Sequence, residues 1–286
     1  MKKKYLIASV SLACVLAGTS CNKKESTTTV TESTYSKELS LSKKFGYTGP
    51  NKFAKTTRDY GNIVGGDGAG AAYGAYYGMM FAGPWGALCG TIAFGGYVSM
   101  SMWDDMPVKN INPTGTGSLS NNPYEYVGQL HNSLLQSFIT DFGQPINSLN
   151  MYAAYQFDST YMANHLGGYV NNSLGFVTSY SDVFSTGWNS VSQSNFDPVS
   201  CMSKMYNNGQ IDSTYYSLWS LNYGTILSIA NSYSPDDAVD SIKSYYPQFV
   251  NIVMQSTDIS DNDKQFILST GALNTYEAIY HIVNNN

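Results

Sequence analysis

Between Gly65 and Met100 the chain places eleven glycines in 36 residues, and no charged residue occurs from Gly68 to Trp103. Gly66, Gly70, Gly74 and Gly78 recur at every fourth position, continued by Ala82, Gly86 and Gly90. Residues four apart share one face of an α-helix, so this register makes a smooth groove against which a second backbone can pack closely. Glycine costs about 1 kcal/mol against alanine at each interior helix position. Close helix contact could offset that cost, as could a bilayer interior in which backbone hydrogen bonds must be made internally. Tyr73, Tyr76, Tyr77, Met79, Met80 and Phe81 fall on the opposite side, available to lipid or to a partner.

Gly83-Pro84 interrupts the run and Trp85 follows. The pattern predicts a helical hairpin with arms near 62–82 and 85–102, because proline cannot continue the first helix. Each arm would reach about 27–31 Å at 1.5 Å per residue, close to the hydrocarbon thickness of a bilayer. Trp85 and Trp103 bracket the second arm, where interfacial aromatics belong, and Asp104-Asp105 closes it with charge. Two settings satisfy this pattern: insertion of residues 62–103 at a membrane, and burial of the hairpin inside an α-helical domain. Such a density of tyrosine suits an interface better than lipid-core depth.

The charge is unevenly placed. Only 12% of the 286 residues are charged, about half the usual share. Residues 21–58 carry eight bases against three acids, whereas residues 110–286 carry three bases against thirteen acids. A net charge of −5 cannot neutralise a phosphate backbone, which excludes nucleic acid as a partner. The organisation expected is a signal peptide over 1–20, a flexible tether over 21–58, the glycine hairpin over 59–109 and an acidic all-helical domain over 110–286. The fold class is mainly α.

Lys2–Lys4 form a cationic start, Tyr5–Ala17 an apolar core too short to span a bilayer, and Gly18-Thr19-Ser20 a small-residue run before Cys21. The residues Ala17-Gly18-Thr19-Ser20-Cys21 resemble the processing box of bacterial lipoproteins in its looser Bacteroidetes-type form, with Gly18 where the usual box has leucine. That resemblance implies cleavage before Cys21, its acylation by a palmitate-type chain, and anchoring in the cell envelope at the outer membrane. An ordinary secretory signal followed by an incidental cysteine is the alternative. Asn22 to about Tyr47, rich in Ser, Thr, Lys and Glu, lacks the apolar surface to fold alone and is expected to be a spacer. Of the other cysteines, Cys89 and Cys201 are expected to be separate thiols, with a disulfide between them as the alternative, and no metal-ligand spacing exists.

The Gly66/Gly70/Gly74/Gly78 register and the Gly83-Pro84-Trp85-Gly86-Ala87 turn resemble the glycine zippers of small envelope lipoproteins and of two-peptide, class II bacteriocins. Gly65-Gly66 also looks like the double glycine that ends a bacteriocin leader. The likeness covers about 40 residues; a secretory signal before it and a long domain after it depart from the bacteriocin pattern. It implies membrane association and self-packing through the zipper.

Beyond the Asn112–Gly117 linker the periodicity is helical. Tyr124–Phe142 carries a stripe of Val127, Leu130, Leu134, Phe138 and Phe142, and Ser148–Gly167 follows. Asp197-Pro198 opens a short helix closed by Asn207-Asn208-Gly209. Asp212–Asn231 presents Tyr216, Trp219, Tyr223, Ile226 and Ala230; Ser234-Pro235-Asp236-Asp237 starts the next helix, with a kink or break expected at Pro247. Ser260 opens the last, with Leu268, Ala272, Tyr276, Ile279 and Val283 inward.

Catalytic signatures are absent: no phosphate-binding glycine loop, no His-Glu-x-x-His and no Gly-x-Ser-x-Gly occurs. No catalytic residue, metal or cofactor is expected. His131, with Asn132 and Tyr126, is the candidate polar site, read either as a helical cleft that binds a glycan or hydrolyses a substrate, or as a half-buried, hydrogen-bonded histidine. Asp258, Asp261 and Asp263 lack the glycine and closing glutamate of a calcium loop and read as helix caps. Trp188-Asn189 and Tyr206-Asn207-Asn208 pair aromatics with amides, as sugar-stacking surfaces do. The functional expectation is an envelope lipoprotein with a partner-binding or scaffolding helical domain; the alternatives are a bacteriocin-like membrane-active protein and a glycan-binding or hydrolytic domain near His131.

Overall fold

The computed structural model describes residues 32–49, 117–133 and 198–284, together with Gly68, Gly70, Ala71, Ala72, Gly74, Ala75, Thr91 and Gly95. Among these residues 77% are helical and none lies in a strand, so the fold is mainly α. The helices are α1 (Thr34–Lys44), α2 (whose described part is 126–133), α3 (Pro198–Asn207), α4 (Ser213–Ser232), α5 (Pro235–Met254) and α6 (Asp261–Asn284).

Local hydrogen bonding sets the helix ends. α3 stops at Gly209, whose φ of 68° suits a residue without Cβ. The Gly209 N–H bonds Tyr206 O at 3.0 Å and the Gln210 N–H bonds Met205 O at 2.9 Å, a Schellman closure. Asp212 caps α4 by accepting from the Tyr215 N–H at 2.7 Å. Ser234 caps α5 by accepting from the Asp237 N–H at 3.4 Å, with Pro235 in the first turn. Ser260 accepts from the Asp263 N–H at 3.1 Å and opens α6. Of the kink or break expected at Pro247, the break does not occur: α5 is one helix from Pro235 to Met254. Tyr245, Tyr246, Phe249 and Val250 are buried on either side of that proline, and this packing outweighs the lost backbone bond.

α4 is the hub, packing against α1, α3, α5 and α6. The face expected for it was too narrow. Every residue from Leu221 to Leu227 is buried, while Tyr216 and Ala230 are only half-buried. A helix covered on several sides loses its single apolar stripe. α6 is likewise buried throughout 267–282, and Val283, expected inward, is 48% exposed. The connections from α4 to α5 and from α5 to α6 are short, which makes sequential neighbours antiparallel.

The spacer expectation fails for its second half. Residues 34–44 are a helix that packs on α4 and α5, with Thr34, Glu38, Leu41 and Ser42 buried. Its polar composition hid this, because the buried face is made mainly of hydrogen-bonding groups. Ser33 caps the helix from within by accepting from the Ser36 N–H at 3.2 Å. Asp258, from the α5–α6 connection, accepts from the Thr34 N–H at 3.0 Å and also bonds the Thr34 hydroxyl. The hydroxyl of Ser256, together with these bonds from Thr34, holds the Asp258 carboxyl well below its usual range. Past the helix, the Tyr47 ring lies over Gly224 of α4, where a Cβ would come within 2.6 Å of it.

Candidate functional site

The site is assembled where α2 meets α6. Asn122 fixes the chain ahead of α2: its side-chain amide donates to Leu268 O at 2.9 Å and to the Tyr246 hydroxyl at 2.7 Å. Glu125 gathers the loop by accepting from Leu119 N at 2.6 Å, Ser120 N at 3.1 Å, Ser118 Oγ at 2.7 Å and Tyr276 OH at 3.0 Å. Gly128 then lies flush on α6, where a Cβ would sit 2.7 Å from Ala272 O and 2.8 Å from the Tyr276 ring. That approach brings His131 and Asn132 onto α6.

There, His131 Nδ1 lies 3.2 Å from Glu277 Oε2, and His281 Nε2 lies 2.6 Å from Glu277 Oε1. Asn132 donates to Tyr276 O at 3.1 Å, and its Oδ1 is 3.3 Å from His131 Nδ1. His131 and Glu277 are 0% exposed and His281 is 1% exposed. Burial opposes ionisation of Glu277, but the His281 and His131 imidazoles facing its two oxygens hold the carboxyl well below the usual carboxylate range. The carboxylate therefore bridges two rings, one from a neighbouring helix and one a turn along its own.

This geometry ties α2 to α6 and stores charge in the core; it leaves those facing atoms committed to one another. Among the described residues no group of three His, Cys, Asp or Glu is arranged to hold a metal ion. His131 and Asn132 lie side by side in a sealed place. Tyr126 is half-buried, five positions earlier and about 140° around the helix from His131. The sequence reading missed Glu277 and His281. Their signal was available: Glu277 is the one Asp, Glu, Lys or Arg between Lys264 and the last residue, and His281 follows at i+4 on the same helix face.

A second buried carboxyl, Glu38 of α1, has different company. It accepts from the Tyr245 hydroxyl at 2.5 Å and from the Ser42 hydroxyl at 3.2 Å, while its Oε2 is buried without a hydrogen-bond partner among the described residues. Burial, only partly opposed by these two hydroxyls, pushes its pKa up to about 7. Asn222 of α4 donates in turn to the Tyr245 oxygen at 3.4 Å.

Of the zipper positions, Gly70 and Gly74 are described, and both are helical and buried. Gly68, Ala71, Ala72 and Ala75 are buried beside them, and Gly68 abuts the Asn274 amide of α6 and Trp219 Nε1 of α4. Gly66, Gly78, Gly86 and Gly90 lie outside the described residues, as do Cys21, Cys89, the Gly83-Pro84 turn and Trp188-Asn189. No described helix is long and apolar enough to cross a membrane. Tyr206 is 42% exposed and stacks on Tyr216 at 5.3 Å between ring centroids. No protein-family model matches the chain, and no curated protein or solved structure is significantly similar to it.

Proposed function

We propose that the chain is an exported, cell-envelope lipoprotein anchored through Cys21, whose acidic helical domain scaffolds or binds a partner, and whose glycine-rich segment serves as packing for that domain. The observation supporting the packing role is Gly68 seated against the Asn274 and Trp219 side chains, with the neighbouring small residues buried; the anchor rests on the Ala17–Cys21 box alone. Small residues allow close approach, and here the groups approached, the Asn274 and Trp219 side chains, belong to the same chain. A bacteriocin-like hairpin would have to leave this packing before it entered a target bilayer. The sealed His131–Glu277–His281 cluster supports a structural role for that site over a hydrolytic or glycan-binding one, since a ligand has no exposed atom of it to touch.

The test uses the full-length chain expressed in a bacterium with a lipoprotein-processing pathway. The wild type is expected to take up labelled palmitate and fractionate with membranes, and Cys21→Ala to lose both properties. Unchanged membrane retention of Cys21→Ala would remove the lipid anchor. Purified mature chain is expected to leave dye inside phosphatidylglycerol/phosphatidylethanolamine vesicles; rapid release would favour the membrane-active reading instead.

A further inference from the structure

α1 joins the domain through an unusual contact. It docks between α4 and α5 by inserting a carboxyl, Glu38, that is 0% exposed and has one oxygen with no hydrogen-bond partner among the described residues. Among the described residues no cation faces it. From α5 the facing titratable group is the Tyr245 phenol; its pKa is raised well above its usual value by burial and then by Glu38, which keeps it a neutral donor. From α4 the nearby polar groups, Asn222 and Thr225, are uncharged. On α1 itself Ser42 is neutral, Lys37 is half-buried and Lys43 and Lys44 are exposed. A buried carboxylate needs a cation or several donors to be tolerated. Two hydroxyls meet that need poorly, so this pocket is built for the neutral acid.

We infer that α1 is a pH-sensitive latch: it stays docked while Glu38 carries its proton, and ionisation of Glu38 releases α1 from the groove between α4 and α5. The chain leading to α1 is the segment that follows Cys21, so release would lengthen the reach between the proposed anchor and the helical domain. Eleven residues span about 16 Å as a helix and more than twice that when extended. The latch does not depend on the anchor: docking of α1 can be measured whether or not Cys21 is acylated.

The direction of the switch follows from linkage. The docked carboxyl holds its proton up to about pH 7 and the released one only to about 4.5. Docking is therefore complete below the lower value and weakens as pH rises through the higher one. Each unit of separation is a tenfold change in the opening equilibrium, so the full effect is on the order of 100-fold. The second clasp, Asp258 on Thr34, is shifted in the opposite sense and stays ionised across this window.

Hydrogen exchange of the full-length mature chain between pH 5 and pH 8, corrected for intrinsic exchange, reads the latch. The protection of amides in 34–44 is expected to fall on the order of 100-fold while that of α5 changes less than about threefold. Constant α1 protection, or a parallel loss in α1 and α5, would overturn the proposal. Glu38→Gln is expected to keep α1 protected at both pH values, and a pH dependence persisting in that variant would also overturn it. Should the variant fail to dock, the wild-type carboxyl resonance of Glu38 still decides: a midpoint near pH 7 supports the latch and one near 4.5 sinks it.

Discussion

Glu38 and Glu277 are equally buried, yet their environments push them in opposite directions. Glu277 faces two imidazoles at 2.6 and 3.2 Å and is held as an anion. Glu38 faces two hydroxyls and is pushed up to about 7. Burial alone thus decides little about a carboxyl; the charge and donor capacity of its neighbours decide its state. The difference divides the molecule into a permanently tied joint, α2 on α6, and a conditional one, α1 on α4 and α5.

The strongest way to break the comparison is to remove the permanent joint. Glu277→Ala leaves His131 and His281 buried without their bridge and is expected to cost about 3–5 kcal/mol by urea denaturation at neutral pH. A loss below about 1 kcal/mol would mean that Asn122, Glu125 and Asn132 hold α2 without it. Next in size is the conditional joint. The Glu38 shift corresponds to about 3 kcal/mol of docking stability that is present below pH 4.5 and lost as pH rises through about 7. A urea-stability profile of the wild type should decline across that window, and that of Glu38→Gln should not. Glu277, whose pKa lies on the other side of the usual range, contributes no slope there; its stability is lost only as the solution becomes strongly acid.

Gly128→Ala sharpens the contrast by disturbing geometry alone. The new methyl meets the Ala272 carbonyl and the Tyr276 ring, and is expected to cost about 1–3 kcal/mol and to loosen His131 from Glu277. Heteronuclear correlation spectra of the histidine rings would report that loosening directly; unchanged ring shifts would show that α2 reaches α6 without the close approach. The smallest effect is expected at Asp258→Asn. Its carboxyl is solvent-exposed, so water screens much of its pull on α1, and up to about 1 kcal/mol should be lost at neutral pH. Hydrogen exchange at the first turn of α1 would detect it.

Much of the helical framework is readable along the chain because its signals are local. Ser234-Pro235, Asp212, Ser260 and Asn208-Gly209 act on backbone groups within a few residues of themselves, and each terminates or opens a helix where its chemistry requires. The mainly α character follows from the same signals and from the apolar spacing. Local signals fall short where burial comes from several sides, as in α4, and where a buried face is polar, as in α1.

What the sequence determined by itself, then, are the ends of α3 to α6 and the small-residue surfaces at Gly68, Gly70 and Gly74. Tertiary structure alone decided where those surfaces went. Asn132 meets a backbone carbonyl 144 residues away, and Tyr245 meets Glu38 across 207 residues. Those pairings set which carboxyl finds imidazoles and which finds only hydroxyls. No local pattern encodes that outcome, because the ionisation of a buried acid depends on the groups that folding brings beside it.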